Sequence, residues 1–148
     1  VSPRPSARPR RTGVVAPAAP RALEAAVRAA RLARLRAHAP YSHYLVGAAV
    51  IDERGRIHRG CNVENASYGL TICAERNAVA AAVLAGARRL TGVAVITAAE
   101  PPGTPCGACR QVLAELALPE AAVVLAGPHG KGRVHHTVAG LLPGAFTL

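Results

Sequence analysis

Gly92-Val93-Ala94-Val95-Ile96-Thr97-Ala98, then Thr104-Pro105-Cys106-Gly107-Ala108-Cys109, then Ala121-Ala122-Val123-Val124-Leu125-Ala126 form the stretch that settles the architecture. The outer segments are unbroken apolar runs, the pattern of strands covered on both faces. Between them, Thr104 is placed to cap a helix with Pro105 at its first position, running to about Ala117 and stopping before Pro119. A strand, a helix and a strand in one sheet imply a right-handed crossover and a parallel pair. The next loop, Gly127-Pro128-His129-Gly130-Lys131-Gly132, is too short for a helical crossover. The last strand, Arg133 to Ala139, is therefore expected antiparallel to its predecessor.

Working back toward the N-terminus, Thr71 is a candidate cap for an alanine-rich helix from Ile72 to Leu84, closed by Gly86. Leu45 to Ile51 and Arg56 to Asn62 read as a hairpin across Asp52-Glu53-Arg54-Gly55. Pro20 suits the first turn of a helix to about Ala37, with Leu23, Val27 and Ala30 on one face. Leu141 to Phe146 is expected as a short terminal turn. The sum is a three-layer α/β/α sandwich around a mixed five-stranded sheet, with its last two strands antiparallel, in a single domain over residues 20–148. Residues 1–19, rich in proline, arginine and alanine, are expected to be a disordered basic tail.

The chain has 148 residues and a net charge of +10. Nine arginines against one acid, Glu24, fall in residues 1–36, so the part carrying the motifs is nearly neutral. That distribution argues against a specific nucleic-acid partner. No apolar run is long enough to span a membrane, and Val1 to Arg11 has no apolar core of an export signal. Four cysteines in such a chain read as metal or catalytic thiols, and a cytoplasmic location is expected.

Cys106 and Cys109 share one helix face, and Cys73 falls at the start of the other helix, with Glu75 two residues on. Three thiolates leave one place of a tetrahedral zinc shell for water, beside a carboxylate able to move protons. Arg76 is a candidate to offset the thiolate charge. Cys61, at a strand end, reads as a small hydrophobe, because a fourth sulfur would close the shell. A closed four-cysteine zinc site and a redox dithiol are the bland alternatives for these cysteines.

With these residues in place, the chain resembles the zinc-dependent cytidine deaminases of pyrimidine salvage, three-cysteine type. The motifs that carry the likeness are Tyr41-Ser42-His43-Tyr44-Leu45-Val46-Gly47-Ala48-Ala49, Gly60-Cys61-Asn62-Val63-Glu64-Asn65-Ala66-Ser67-Tyr68, Cys73-Ala74-Glu75-Arg76, Pro105-Cys106-Gly107-Ala108-Cys109-Arg110-Gln111-Val112-Leu113 and Leu141-Leu142-Pro143-Gly144-Ala145-Phe146. The resemblance implies one Zn²⁺ per subunit on Cys73, Cys106 and Cys109, with Glu75 as the catalytic proton shuttle. It implies substrate contacts from Asn62 and Glu64 to the sugar, from Tyr44 and Ala74 in the pocket, and from Phe146 of a neighbouring subunit in a homotetramer with shared sites. Tyr44 departs from the phenylalanine usual at its position. The implied reaction is hydrolysis of cytidine and 2'-deoxycytidine to uridine and 2'-deoxyuridine plus ammonia, by zinc-bound hydroxide attack at C4. Other cytosine nucleosides, such as nucleoside antibiotics, and cytosine within nucleic acid are the alternative substrates. A noncatalytic zinc module is the alternative of another class. The short loop at 127–132 and a tail without interleaved aromatics weigh against a polynucleotide substrate.

Overall fold

The computed structural model describes residues 14–148. In chain order the elements are α1 (Pro20–Arg34), β1 (Gly47–Asp52), β2 (Ile57–Cys61), a 3-10 turn (Tyr68–Leu70), α2 (Ala74–Leu84), β3 (Leu90–Ile96), α3 (Gly107–Leu116), β4 (Ala117–Ala126), β5 (Val134–Thr137) and the single-turn α4 (Val138–Leu141). The five strands make one sheet in the order β2-β1-β3-β4-β5. β1 is antiparallel to β2 and to β3, β3 is parallel to β4, and β5 is antiparallel to β4. The mixed sheet and the antiparallel last pair are as the sequence led us to expect.

The three layers follow from strand alternation. Ala49 and Ile51 of β1, Ala94 and Ile96 of β3, and Val124 and Ala126 of β4 pack on Ala26, Val27 and Ala30 of α1. Their sequence neighbours Ala48, Val50, Val93, Val95, Val123 and Leu125 turn to the other face, against α2, Leu113 of α3 and α4. Small residues let the helices sit close. A methyl group built on Gly47 would come within 2.0 Å of the Ala30 carbonyl oxygen in α1, and one on Gly60 within 2.4 Å of the Ala74 carbonyl oxygen in α2. These two glycines, on opposite faces of the hairpin, bring both helices down onto backbone.

Several boundaries differ from the sequence reading. α1 ends at Arg34 rather than Ala37. α2 starts at Ala74 with Cys73 as its N-cap, and α3 starts at Gly107 with Cys106 as its N-cap. Thr71 and Thr104 do not cap, because their hydroxyls accept hydrogen bonds elsewhere. Thr71 Oγ1 takes the Asn65 amide at 3.2 Å, and Thr104 Oγ1 takes Arg110 Nη2 at 3.0 Å. β4 starts four residues early, directly at the end of α3, and carries Pro119 within it. β5 stops at Thr137 rather than Ala139, because the chain turns there into α4, capped by Thr137 Oγ1, which accepts from the Gly140 amide at 3.1 Å. Of the turn expected over Leu141 to Phe146 only Leu141 lies in α4, and a bend and turn follow over 142–144. Of the expected disordered tail, residues 1–13 lie outside the described residues. Near its other end Ala18 is tied to the sheet, its amide donating to the Thr91 carbonyl at 2.8 Å. Among the described residues no helix is long and apolar enough to cross a membrane.

Candidate metal centre and active site

β2 and β3 run in the same direction, and the segments leaving their C-terminal ends lead into α2 and α3, so both helix N-termini meet at one edge of the sheet. This is where open α/β sheets place their ligands. Beyond β2 the chain is held by short bridges: Val63 and Ile72 exchange amide–carbonyl bonds of 3.0 Å, and the Glu64 amide donates to the His38 carbonyl at 2.8 Å. Those bonds deliver Asn62, Glu64 and Cys73 to that edge.

Cys73 and Cys106 are the N-caps of α2 and α3, and Cys109 is the third residue of α3. Their Sγ atoms all lie within 4.8 Å of one another, with Cys73 and Cys106 separated by 3.8 Å. Thiolates sharing one tetrahedral zinc at about 2.3 Å sit about 3.8 Å apart, so the trio fits the ion. Ionisation tells the same story. Hydrogen bonds from Cys109 and then Arg76 and Cys106 lower the Cys73 thiol against its burial, while Cys109 is pushed up by its hydrogen bond to Cys73 and by burial. One negative charge in the trio raises the cost of the next, and only a cation lets all three ionise together. The partial positive charge at two helix N-termini works in the same direction.

Cys61 stands apart. It pairs with Gly47 in the hairpin, on the α1 face of the sheet, and its Sγ donates to the Arg36 carbonyl at 3.4 Å. It lies outside the thiol trio, and, part-exposed with its thiol bonded to a carbonyl, it is not the packed small hydrophobe the sequence reading expected.

Glu75 is the second residue of α2 and is only 5% exposed. Burial pushes its carboxyl up, with the Cys73 charge adding to the effect. The helix amide, Cys109 and Arg76 pull it part of the way back. Arg76 Nη2 donates to the Thr71 carbonyl at 3.0 Å and points to Cys73 Sγ at 3.8 Å, while its Nε is buried without a partner. Ala74 buries its methyl in the core, and its amide is among the N-terminal donors that no helix carbonyl satisfies.

The remaining expected residues lie outside the thiol trio. Asn62, 8% exposed, spends its side chain on backbone, with Nδ2 donating to the Tyr44 carbonyl and Oδ1 accepting from the Val46 amide, both at 2.8 Å. One donor and one lone pair remain for a ligand. Glu64 accepts from the Tyr41 amide at 2.9 Å, the Ser42 amide at 3.2 Å and the Ser42 hydroxyl. The Ser42 hydroxyl first, then burial in opposition and the two amides, leave its carboxyl below the usual range. It lines a cavity of about 250 Å³ with Tyr41, Ser42, Tyr68 and Thr71, in which the Tyr41 and Tyr68 rings meet edge-on at 5.8 Å. Tyr44 is exposed. Phe146 is 69% exposed and does not plug the core; its carbonyl accepts from Gln111 Nε2 at 3.0 Å.

Sequence reasoning assigned nothing to three polar residues that shape this edge. Ser42 joins Glu64 to the Tyr44 amide, its Oγ accepting the latter at 3.0 Å. Asn77 Nδ2 holds the Cys61 carbonyl at 2.8 Å, fixing α2 to the end of β2. Arg110 bonds the Pro105 carbonyl at 2.7 Å and the Leu141 carbonyl at 2.9 Å, bracing the loop ahead of Cys106. All three lie in or beside the quoted motifs. Each has a partner distant in sequence, Glu64 for Ser42, Cys61 for Asn77 and Leu141 for Arg110, which spacing does not reveal.

A trio of convergent thiols with a buried carboxylate beside it, on an α/β/α sandwich, defines a zinc-dependent hydrolytic deaminase. Residues 20–125 match the family described as the cytidine and deoxycytidylate deaminase zinc-binding region, and the chain belongs to that family. It is 49% identical over 115 residues to a cytidine deaminase of Halalkalibacterium halodurans, covering 78% of this chain and 86% of that one. It is 45% identical over 126 residues to a cytidine deaminase of Sporosarcina psychrophila, covering 84% and 91%. The crystal structure of cytidine deaminase from Burkholderia pseudomallei superposes with a TM-score of 0.79 at 46% identity, covering 83% of this chain and 98% of that one.

Proposed function

We propose that this chain hydrolyses cytidine and 2'-deoxycytidine to the corresponding uracil nucleosides and ammonia. The observation that carries the reading is Glu75, buried and one residue past the first turn's start, beside three thiols from two helix N-termini. Cys73, Cys106 and Cys109 hold the zinc, which when bound is a Lewis acid that makes hydroxide available from water near neutral pH. Glu75 accepts the proton of the attacking water and delivers it to ring N3, which makes C4 electrophilic. It then carries a second proton to the 4-amino group, which leaves as ammonia. Burial raises the carboxyl from its ordinary range, which makes it a better base toward the attacking water. Arg76 offsets thiolate charge.

Asn62 and Glu64 hold the sugar hydroxyls with the capacity their backbone bonds leave free, the Ala74 amide faces the base, and Tyr44 supplies a π-face to it. The exposed ring of Phe146 is suited to complete the site of a neighbouring chain in a homotetramer. Free thiols throughout fit a cytoplasmic setting. The test is the loss of near-ultraviolet absorbance when free cytidine is added, expected within minutes. Turnover of an oligonucleotide with none of the free nucleoside would overturn the reading.

A further inference from the structure

Tyr44 is fixed at its backbone by two bonds, from Asn62 Nδ2 to its carbonyl and from its amide to Ser42 Oγ. Its side chain reaches across to the loop that leads into Cys106. A methyl group built on Gly103 would come within 2.5 Å of the Tyr44 hydroxyl oxygen, far inside contact distance. Gly103 does not occupy the left-handed region of backbone space, so conformation gives no reason for glycine there. Space does. The loop is not free to retreat, because the Gly103 amide donates to Thr97 Oγ1 at 2.9 Å, and buried Thr97 is tied to the Ala126 carbonyl at 3.1 Å. The ring, 39% exposed and at the far end of a flexible side chain, is the part able to give way.

We propose that Gly103 is a positioning residue for the substrate: by leaving out a side chain it admits the Tyr44 hydroxyl against the 97–106 loop, and so sets the tilt of the ring on which the nucleobase lies. The proposal deepens the deaminase reading and rests on it. A phenyl ring in place of the phenol ends one atom short of Gly103, so the requirement for glycine belongs to the tyrosine.

Cytidine kinetics on wild type, Gly103→Ala, Tyr44→Phe and the double variant test it. Gly103→Ala is expected to raise KM about tenfold while kcat changes less than about twofold. In the Tyr44→Phe background the same substitution is expected to leave KM within about twofold of Tyr44→Phe alone. Equal KM effects in the two backgrounds, or a lowered unfolding midpoint that tracks the KM change, overturns the proposal. Calorimetric binding of uridine repeats the cycle without turnover. Wild type that turns over cytidine with no coupling in the cycle refutes Gly103 alone; wild type that neither turns over cytidine nor binds uridine refutes the deaminase reading itself.

Discussion

In the proposed mechanism Glu75 and the three cysteines divide the chemistry between them, and substitutions should separate their roles. Glu75 lies beside the thiols but contributes no ligand atom to the trio. Glu75→Gln keeps the volume and removes the proton carrier. Zinc content by plasma emission is expected to stay at one per chain while kcat falls by about 10²–10⁴-fold or more. Parallel loss of zinc and of the folded state would make Glu75 structural. The cysteines were legible before the fold because C-x-x-C with a third cysteine and a flanking glutamate is a rare combination. The other candidate residues were less legible. Asn62 and Glu64 were singled out as sugar-binding residues, and the structure adds that both side chains also fasten the 41–46 segment. A residue's identity states its donors and acceptors, but not which distant amides already occupy them.

Among the elements, helix starts were the weakest part of the reading, for a physical reason. Threonine before a helical run is a good capping signal, yet in both cases the cysteine two residues later is the N-cap. Cysteine scores poorly as a cap, so propensity cannot find a helix end whose N-cap side chain is set aside for a metal. Helix docking depends on two glycines. Gly47→Ala would drive a methyl into α1 backbone and is expected to cost about 3 kcal/mol or more in urea unfolding. Gly69→Ala, with nothing within 4 Å of the added carbon, is expected to stay within about 0.5 kcal/mol of wild type. Equal effects would mean the close approach is not what Gly47 provides. The hairpin has its own lock. Asp52 is buried, and although burial works against it, hydrogen bonds from His58, the Arg56 amide and guanidinium, and the Arg54 amide hold its carboxyl at about 2. A folded-state value below the unfolded 3.8 gives stability that is present above pH 3.8 and lost as pH falls through about 2. Acid unfolding monitored by circular dichroism should show about 2 kcal/mol of that loss in wild type and little of it in Asp52→Asn. An unchanged acid limb in the variant would count against the lock.

At the scale of the whole molecule, the layer order and strand directions were readable because each followed from a short-range constraint. A six-residue loop forces an antiparallel return, and a strand–helix–strand run forces a parallel one. The N-terminal boundary of the folded unit was not readable, since Ala18 joins the sheet through a backbone amide that any residue except proline could supply. Removing residues 1–13 is expected to leave kcat/KM for cytidine within about twofold. Removing residues 1–19 also loses the Ala18 bond to Thr91 and should lower stability by about 1 kcal/mol. The same loss from both truncations would place the anchor further upstream. The account as a whole depends on the coordination of one ion, and zinc K-edge X-ray absorption on the purified protein measures it most directly. Three sulfurs at about 2.3 Å and one oxygen scatterer are the expected shell; a fourth sulfur, or an imidazole in the place of the oxygen, would contradict it.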